Sequence, residues 1–316
     1  MSTTTTIIGV RDGKGGRHLR RRLDASQWAA VGFAAPLLVY LIVFYAYPLW
    51  RNIDLSIHDY TIQAFVQGGA EFVGFANYAE IFGSEMFPTA FANTLLFTIG
   101  SIIPQFAIGL ALAVFFKSHF RLSNVLRALF LVPWLLPLIV SASTWAWMLN
   151  SDNGIVNSLI VAFGGDPVNW LTSPETALLS VTIANVWLGI PFNLVILHSG
   201  LQNIPDEMYE AASLDGAGPW RQFWSITFPL LRPVSAITLL LGLIYTLKVV
   251  DVIWVMTAGG PAGASTTLAI WAYQEAFGTG IPDFSPAAAI GNLLILIALV
   301  FGFLHLRLQR RQEASS

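Results

Sequence analysis

Residues Phe87–Phe116 read FPTAFANTLLFTIGSIIPQFAIGLALAVFF, thirty residues without one charged side chain. A transmembrane helix needs roughly 20 mostly apolar residues. This stretch is long enough to cross a bilayer with room to tilt or to include an interfacial turn. Five further runs meet the same criterion: Trp28–Leu49, Leu126–Leu149, Thr176–His198, Val234–Met256 and Ala287–Leu306. Several contain helix breakers: Pro36, Pro104 with Gly109, Pro133 with Pro137, and Gly189 with Pro191. Neighbouring helices can satisfy the backbone groups that such residues free, so the expectation is kinks and not helix ends. The first run follows Arg20-Arg21-Arg22 as a signal peptide would. Its apolar core is longer than a signal core and no A-x-A site follows, so it is expected to be a retained helix.

Composition agrees with six spans. Charged residues make up 11% of the 316 and hydrophobic residues 55%, with a mean hydropathy of +0.65. A soluble domain carries about 25% charge. Disorder is excluded by the apolar content, and a soluble enzyme would lack charge for its surface. The chain has no cysteine, which excludes disulfides, thiolate metal sites and thiol catalysis. Its five histidines show no metal-ligand spacing, and no catalytic triad or carboxylate pair is suggested.

The placement of Lys and Arg gives the orientation. Six lie before the first span, three between spans two and three (Lys117, Arg121, Arg127), two between spans four and five (Arg221, Arg232) and three after the last. Fourteen therefore fall on one side of the membrane, and Arg51 alone on the other. The positive-inside rule makes both termini cytoplasmic. The outer stretches Asn52–Met86, Asn150–Glu175 and Thr257–Pro286 have no Lys or Arg. They serve either as connectors or as a docking surface for an external partner.

The connection between spans four and five is too long for a simple helix–helix loop. Pro205 with Asp206 and Glu207 suits a helix start, and Gly216 offers a stop. A second short helix can begin after Gly218-Pro219. The apolar positions Tyr209, Ala211 and Leu214 have little reason to face the cytosol unless a partner receives them. An interfacial helix on anionic lipid is the competing reading, but here acids outnumber bases.

Glu210-Ala211-Ala212, Asp215-Gly216-Ala217, Phe223, Ile226, Pro229 and Pro233 resemble the EAA signature of binding-protein-dependent ABC importer permeases. Phe72-Val73-Gly74 with Asn77-Tyr78, Trp187-Leu188-Gly189 with Pro191, and Met256-Thr257 with Gly259-Gly260-Pro261 are similar to the carbohydrate-uptake, maltose-type branch. The likeness is to the first of its two permeases and spans about Leu37 to Leu306. Phe228 stands where the family usually has Leu, and the first outer loop lacks the large insert of the enterobacterial maltose protein.

The resemblance implies an all-α, polytopic protein of six transmembrane helices with the type I importer permease fold, in a bacterial inner membrane. Residues 1–27 would be a basic cytoplasmic tail, 28–306 the permease domain, 200–232 its coupling segment and 307–316 a cytoplasmic tail. Glu210, Ala211, Ala212, Asp215 and Gly216 would engage a cytosolic ATPase. The implied partners are a homologous second permease, two ATPase subunits that bind ATP and magnesium, an extracytoplasmic sugar-binding protein and membrane lipid, with no nucleic acid. The chain itself has no phosphate-binding G-x-x-x-x-G-K-[ST] run, and no cofactor is expected in it.

Asn185, Leu188, Gly189 and Phe192 recur at i, i+3, i+4 and i+7 and share one helix face. The resemblance makes them sugar contacts, with Asn185 bonding hydroxyls, Gly189 leaving room and Phe192 stacking. Helix packing by Gly and Asn stands beside that reading. Gly242, Tyr245, Thr246 and Val249 repeat the pattern in span five, and Ser141 in span three is a weaker candidate. Lys248 and Asp251 are the charges expected deep in a span. Three residues apart, they either pair structurally within the helix or form the ion site of an ion-coupled secondary transporter.

Overall fold

The computed structural model describes residues 25–60, 62–118, 120–278 and 283–313. The basic arm at 1–24 lies outside them. The chain divides into two units, 1–50 and 51–316. In the first, α1 (Ala25–Leu41) carries Pro36 in its interior and passes through a π-helical turn (Ile42–Ala46) into α2 (Tyr47–Ile57), whose residues from Arg51 on belong to the second unit. The apolar stretch Gly32–Ile57 is long enough to span, and it ends later than the expected Leu49.

After α2 the second unit continues with a two-residue antiparallel hairpin, β1 (His58–Asp59) with β2 (Glu71–Phe72), around α3 (Ile62–Gln67). This hairpin is the departure from an all-helical chain among the described residues. Asn77 on α4 (Ala76–Gly83) donates to the carbonyls of Ser56 and His58, and Tyr78 donates to Ser56 Oγ. The Phe-Val-Gly-x-x-Asn-Tyr motif thus staples the first outer loop to the end of α2.

The stretch at 87–116 lies within α5 (Met86–Lys117), with Pro104 inside it. Its principal neighbour is α9 (Pro174–Gln202). Asn185 Nδ2 donates to Ser101 Oγ at 2.9 Å, and Gln105 Nε2 donates to the Asn185 carbonyl at 2.8 Å. A Cβ on Gly109 would lie 2.5 Å from Asn193 Cβ, and His198 Nδ1 reaches the Ala113 carbonyl at 3.4 Å. Residue numbers rise together along both helices, so α5 and α9 are parallel. Parallel neighbours require the chain to cross back between them.

That crossing is made by α6 (Ser123–Leu135) and α7 (Leu138–Met148), which are bent by 96°. The expected kink is therefore a break. Leu136 precedes Pro137, whose ring forces it to an extended backbone (φ −78°, ψ 143°), and Pro137 starts α7. Pro133 remains inside α6, as Pro191 does inside α9. With this pair counted once, the five long helices become six crossings.

A short outer helix, α8 (Ile155–Ala162), precedes α9. Beyond α9, α10 (Asp206–Leu214) and α11 (Pro219–Gln222) lead through a π-helical turn (Phe223–Thr227) directly into α12 (Phe228–Leu247). Leu231 and Val234 of α12 pack on Gly200, and Tyr245 on Phe192, so α12 runs antiparallel to α9. The expected span Val234–Met256 is corrected: α12 stops at Leu247, and α13 (Asp251–Thr257) is separate. The helices α14 (Leu268–Phe277) and α15 (Phe284–Glu313) complete the chain, with α15 running past Leu306.

Three cores hold this unit. One joins Ala113, Phe116, Leu194, Leu197, Leu201 and Leu231 near α10. A second gathers Phe97, Val181, Leu188, Val252, Ile253 and Ile270 toward the other end. The third packs α15 on α4 and α14 through Ile81, Leu268, Trp271 and Ile290. Trp271 is buried there and donates to Glu275 Oε1.

Close approach at Gly109 generates a prediction. Gly109→Ala forces a methyl into Asn193, and overpacking of this kind costs about 1–3 kcal/mol. The thermal unfolding midpoint of the purified protein in detergent should fall; an unchanged midpoint would mean that the helices have room to spare.

Candidate functional site

Two regions carry the residues singled out above. The first is α10 with its following turn. Pro205 holds the N-terminal entry in an extended conformation, and Asp206 and Glu207 face the positive end of the helix dipole. At the other end, Gly216 takes φ +77°, a left-handed conformation natural to glycine. The Gly216 N–H bonds the Ser213 carbonyl at 3.0 Å, and the Ala217 N–H bonds the Ala212 carbonyl at 2.9 Å. This pair of bonds is a Schellman motif. Gln222 closes the turn by donating to Ser213 Oγ and to the Ala217 carbonyl.

The helix has two faces. Glu207, Glu210, Ala211 and Leu214 point outward, and Leu214 is 90% exposed. Among the described residues no ion pair within the chain involves Glu210. Ala212 and Tyr209 lie half-buried on the inner face. The expectation for Tyr209 is thereby corrected. It turns back to the bundle, where its hydroxyl lies 3.0 Å from Thr227 Oγ1.

The second region lies midway along α9 and near the C-terminal end of α12. Asn185 and Gly189, expected to face a sugar, meet α5 instead. Asn185 is buried against Ser101, and a Cβ on Gly189 would come within 2.3 Å of the Gln105 amide. Gln105 fills the room that Gly189 leaves. Leu188 belongs to the core with Phe97 and Val252.

Phe192 behaves differently. It is half-buried and meets Tyr245 edge-to-face at 5.6 Å and Trp134 at 6.4 Å. Tyr245 is 52% exposed and Trp134 56%. Gly242 has open space where a Cβ would stand, while Thr246 is buried. Val249 drops out of the expected helical row, because α12 has already ended. Ser141 is 1% exposed, and its Oγ finds no hydrogen-bond partner.

Lys248 and Asp251 do not form the expected pair. Lys248 (φ −99°, ψ 9°) terminates α12, Asp251 begins α13, and both are exposed. No ion pair joins them among the described residues. Lys248 Nζ instead sits 5.0 Å from the centre of the Tyr245 ring. Two exposed charges in a helix break are not a buried ion site. The described residues also hold no group of three or more metal-ligating side chains.

The structure adds residues that sequence reasoning passed over. Gln105 had a signal, since a lone amide within a charge-free span usually bonds to a neighbouring helix. Trp134 and Lys117 had none, because their partners lie on segments remote in sequence.

Residues 105–314 match the model of the family described as "Binding-protein-dependent transport system inner membrane component". The chain belongs to this family. It is a permease component of an ABC transporter and not itself an ATPase, and its relatives are of the carbohydrate-uptake type. It is 36% identical to the trehalose/maltose transport system permease protein MalF of Thermococcus litoralis, over 87% of this chain and 91% of that one. It is 30% identical to the sulfoquinovosyl glycerol transport system permease protein SmoG of Agrobacterium fabrum, over 90% and 91%. The permease fold is shared with a crystal structure of a bacterial ABC transporter involved in alginate import, at a TM-score of 0.77 and 23% identity, covering 90% of this chain and 96% of that one. The membrane crossings counted above are those of a multi-pass permease.

The separation of Lys248 from Asp251 is testable. Lys248→Met and Asp251→Leu should act independently on the permease, with a double-mutant interaction energy under about 0.5 kcal/mol, as for uncoupled sites. Denaturation of the two single variants and the double variant measures it, and a coupling of several times that size would restore the pair.

Proposed function

We propose that this permease forms half of the translocation pathway of an ATP-driven sugar importer. It pairs with a homologous second permease and docks α10 on a cytosolic ATPase, two copies of which hold ATP and magnesium. A sugar-binding protein delivers substrate from outside, and both termini lie in the cytoplasm of the inner membrane. The observation that carries the proposal is the outward face of α10, where Glu210, Ala211 and exposed Leu214 have no partner within the described chain beside a glycine-dependent turn. The grouping of fourteen basic residues on one side of the six crossings supports the orientation.

A sugar as cargo is supported by the relatives' substrates and by the mid-bundle surface. Sugars present hydroxyls and apolar ring faces. Phe192, Tyr245 and Trp134 offer accessible aromatic faces there, with open space at Gly242. Asn185, Leu188 and Gly189 hold α9 against its neighbours behind that surface. Thr246 and Ser141 are buried and Val249 lies beyond α12, so they add no accessible face to it, although Ser141 Oγ keeps an unused hydrogen-bonding group.

Two outcomes test the proposal in proteoliposomes containing the assembled transporter and its binding protein, with trehalose, maltose and lactose as probes. Gly216→Pro imposes φ near −65° where the turn requires +77°. It should leave the protein in the membrane but abolish substrate-stimulated ATPase activity, and Glu210→Lys should do the same by reversing a docking charge. Full stimulation in either variant refutes the docking role. Phe192→Ala should slow uptake about tenfold, the factor that about 1.4 kcal/mol carries, with assembly unchanged. Unaltered uptake would remove this aromatic surface from the path.

A further inference from the structure

We infer that Lys117, at the end of α5, is a positioning residue that fastens the coupling helix α10 to the α5–α9 pair. The inference rests on the docking role proposed for α10. No residue of that helix is buried, and a cavity of about 420 Å³ separates it from the ends of α5, α9 and α11, lined among others by Val114, Leu201, Pro219 and Phe223. The helix is therefore not packed flat on the bundle. It is moored at its C-terminal end by Gln222, in its middle by Tyr209, which packs on the core around Leu201, and at its N-terminal end by the chain itself through buried Ile204.

Lys117 completes the second mooring. Its Nζ lies 3.4 Å from the centre of the Tyr209 ring and 3.7 Å from Asp206 Oδ1. The Nζ is shielded from solvent and has no hydrogen-bond partner. A shielded ammonium is costly unless something replaces its water. Asp206 is 84% exposed, and a loose pair with so solvated a carboxylate contributes little. The face of the tyrosine ring is what compensates the charge.

This contact gives α10 a third route to the membrane, beside its two chain connections. The chain itself joins α10 to α9 through Asn203, buried Ile204 and Pro205, and to α12 through α11 and the π-helical turn. Lys117 joins it to α5, and α5 is locked to α9 by Gln105, Asn185 and the close approach at Gly109. Movement of α10 by a docked partner thus reaches α5 directly, as well as α9 and α12, its neighbours along the chain.

The test measures disaccharide imported per ATP hydrolysed by the assembled complex in proteoliposomes, using whichever of trehalose, maltose and lactose the wild type carries. Lys117→Met keeps length and apolar bulk without the charge; Tyr209→Leu removes the ring face. Both should assemble with the ATPase subunits and lower import per ATP about fivefold, the population factor of an ordinary cation–π contact. Lys117→Arg, which also stacks on an aromatic face, should restore the ratio. A wild-type ratio in either Lys117→Met or Tyr209→Leu overturns the assignment, as does failure of both to assemble, because a positioning role leaves assembly intact. Gly216→Pro serves as the control. If it also remains fully coupled, the docking role of α10 is what fails; if it alone uncouples, only the role of Lys117 fails.

Discussion

The contact between α5 and α9 is the constraint around which the second unit is built. Lipid gives helices no hydrophobic reason to associate, so close backbone approach and interhelical hydrogen bonds must do it. Here Gly109 admits Asn193, Gly189 admits Gln105, and Asn185 bonds Ser101. Because these contacts run parallel, they also dictate topology. The chain must return between the two helices, and the break at Leu136–Pro137 is how α6 and α7 make that return.

The same packing separates what holds the bundle from what is left to act. Residues that grip α5 are occupied by that contact. Neighbouring positions a turn further along α9 reach the gap beside α12, where Phe192 meets Tyr245. One helical face therefore contains both packing and accessible positions. Its spread in angle is wide enough for Gly189 and Phe192 to meet different neighbours.

At the far end of the α5–α9 pair, α10 is built by local forces and attached by few. Its dipole is matched by Asp206 and Glu207, and its stop by the Schellman turn at Gly216. Neither feature says where the helix lies against the bundle. The contacts of Tyr209 with Thr227 and Lys117, together with Gln222, decide that. A helix anchored at its two ends over a cavity is suited to transmit a push without being part of the packed core.

Much of this protein follows from its sequence by itself: the apolar runs, the one-sided basic residues, and the start and stop of α10. These depend on single residues or on neighbours within a turn, as with a charge that lipid will not accept or a glycine at positive φ. Tertiary structure alone decided that Pro137 breaks a span while Pro104 and Pro191 do not. It decided too that Asn185 and Gly189 face α5, that Lys248 and Asp251 fall in a helix break, and that Lys117 covers Tyr209. Helical periodicity says which residues share a face. It does not say which neighbour occupies that face, because the neighbour comes from a segment some eighty residues away, as with Ser101 and Asn185.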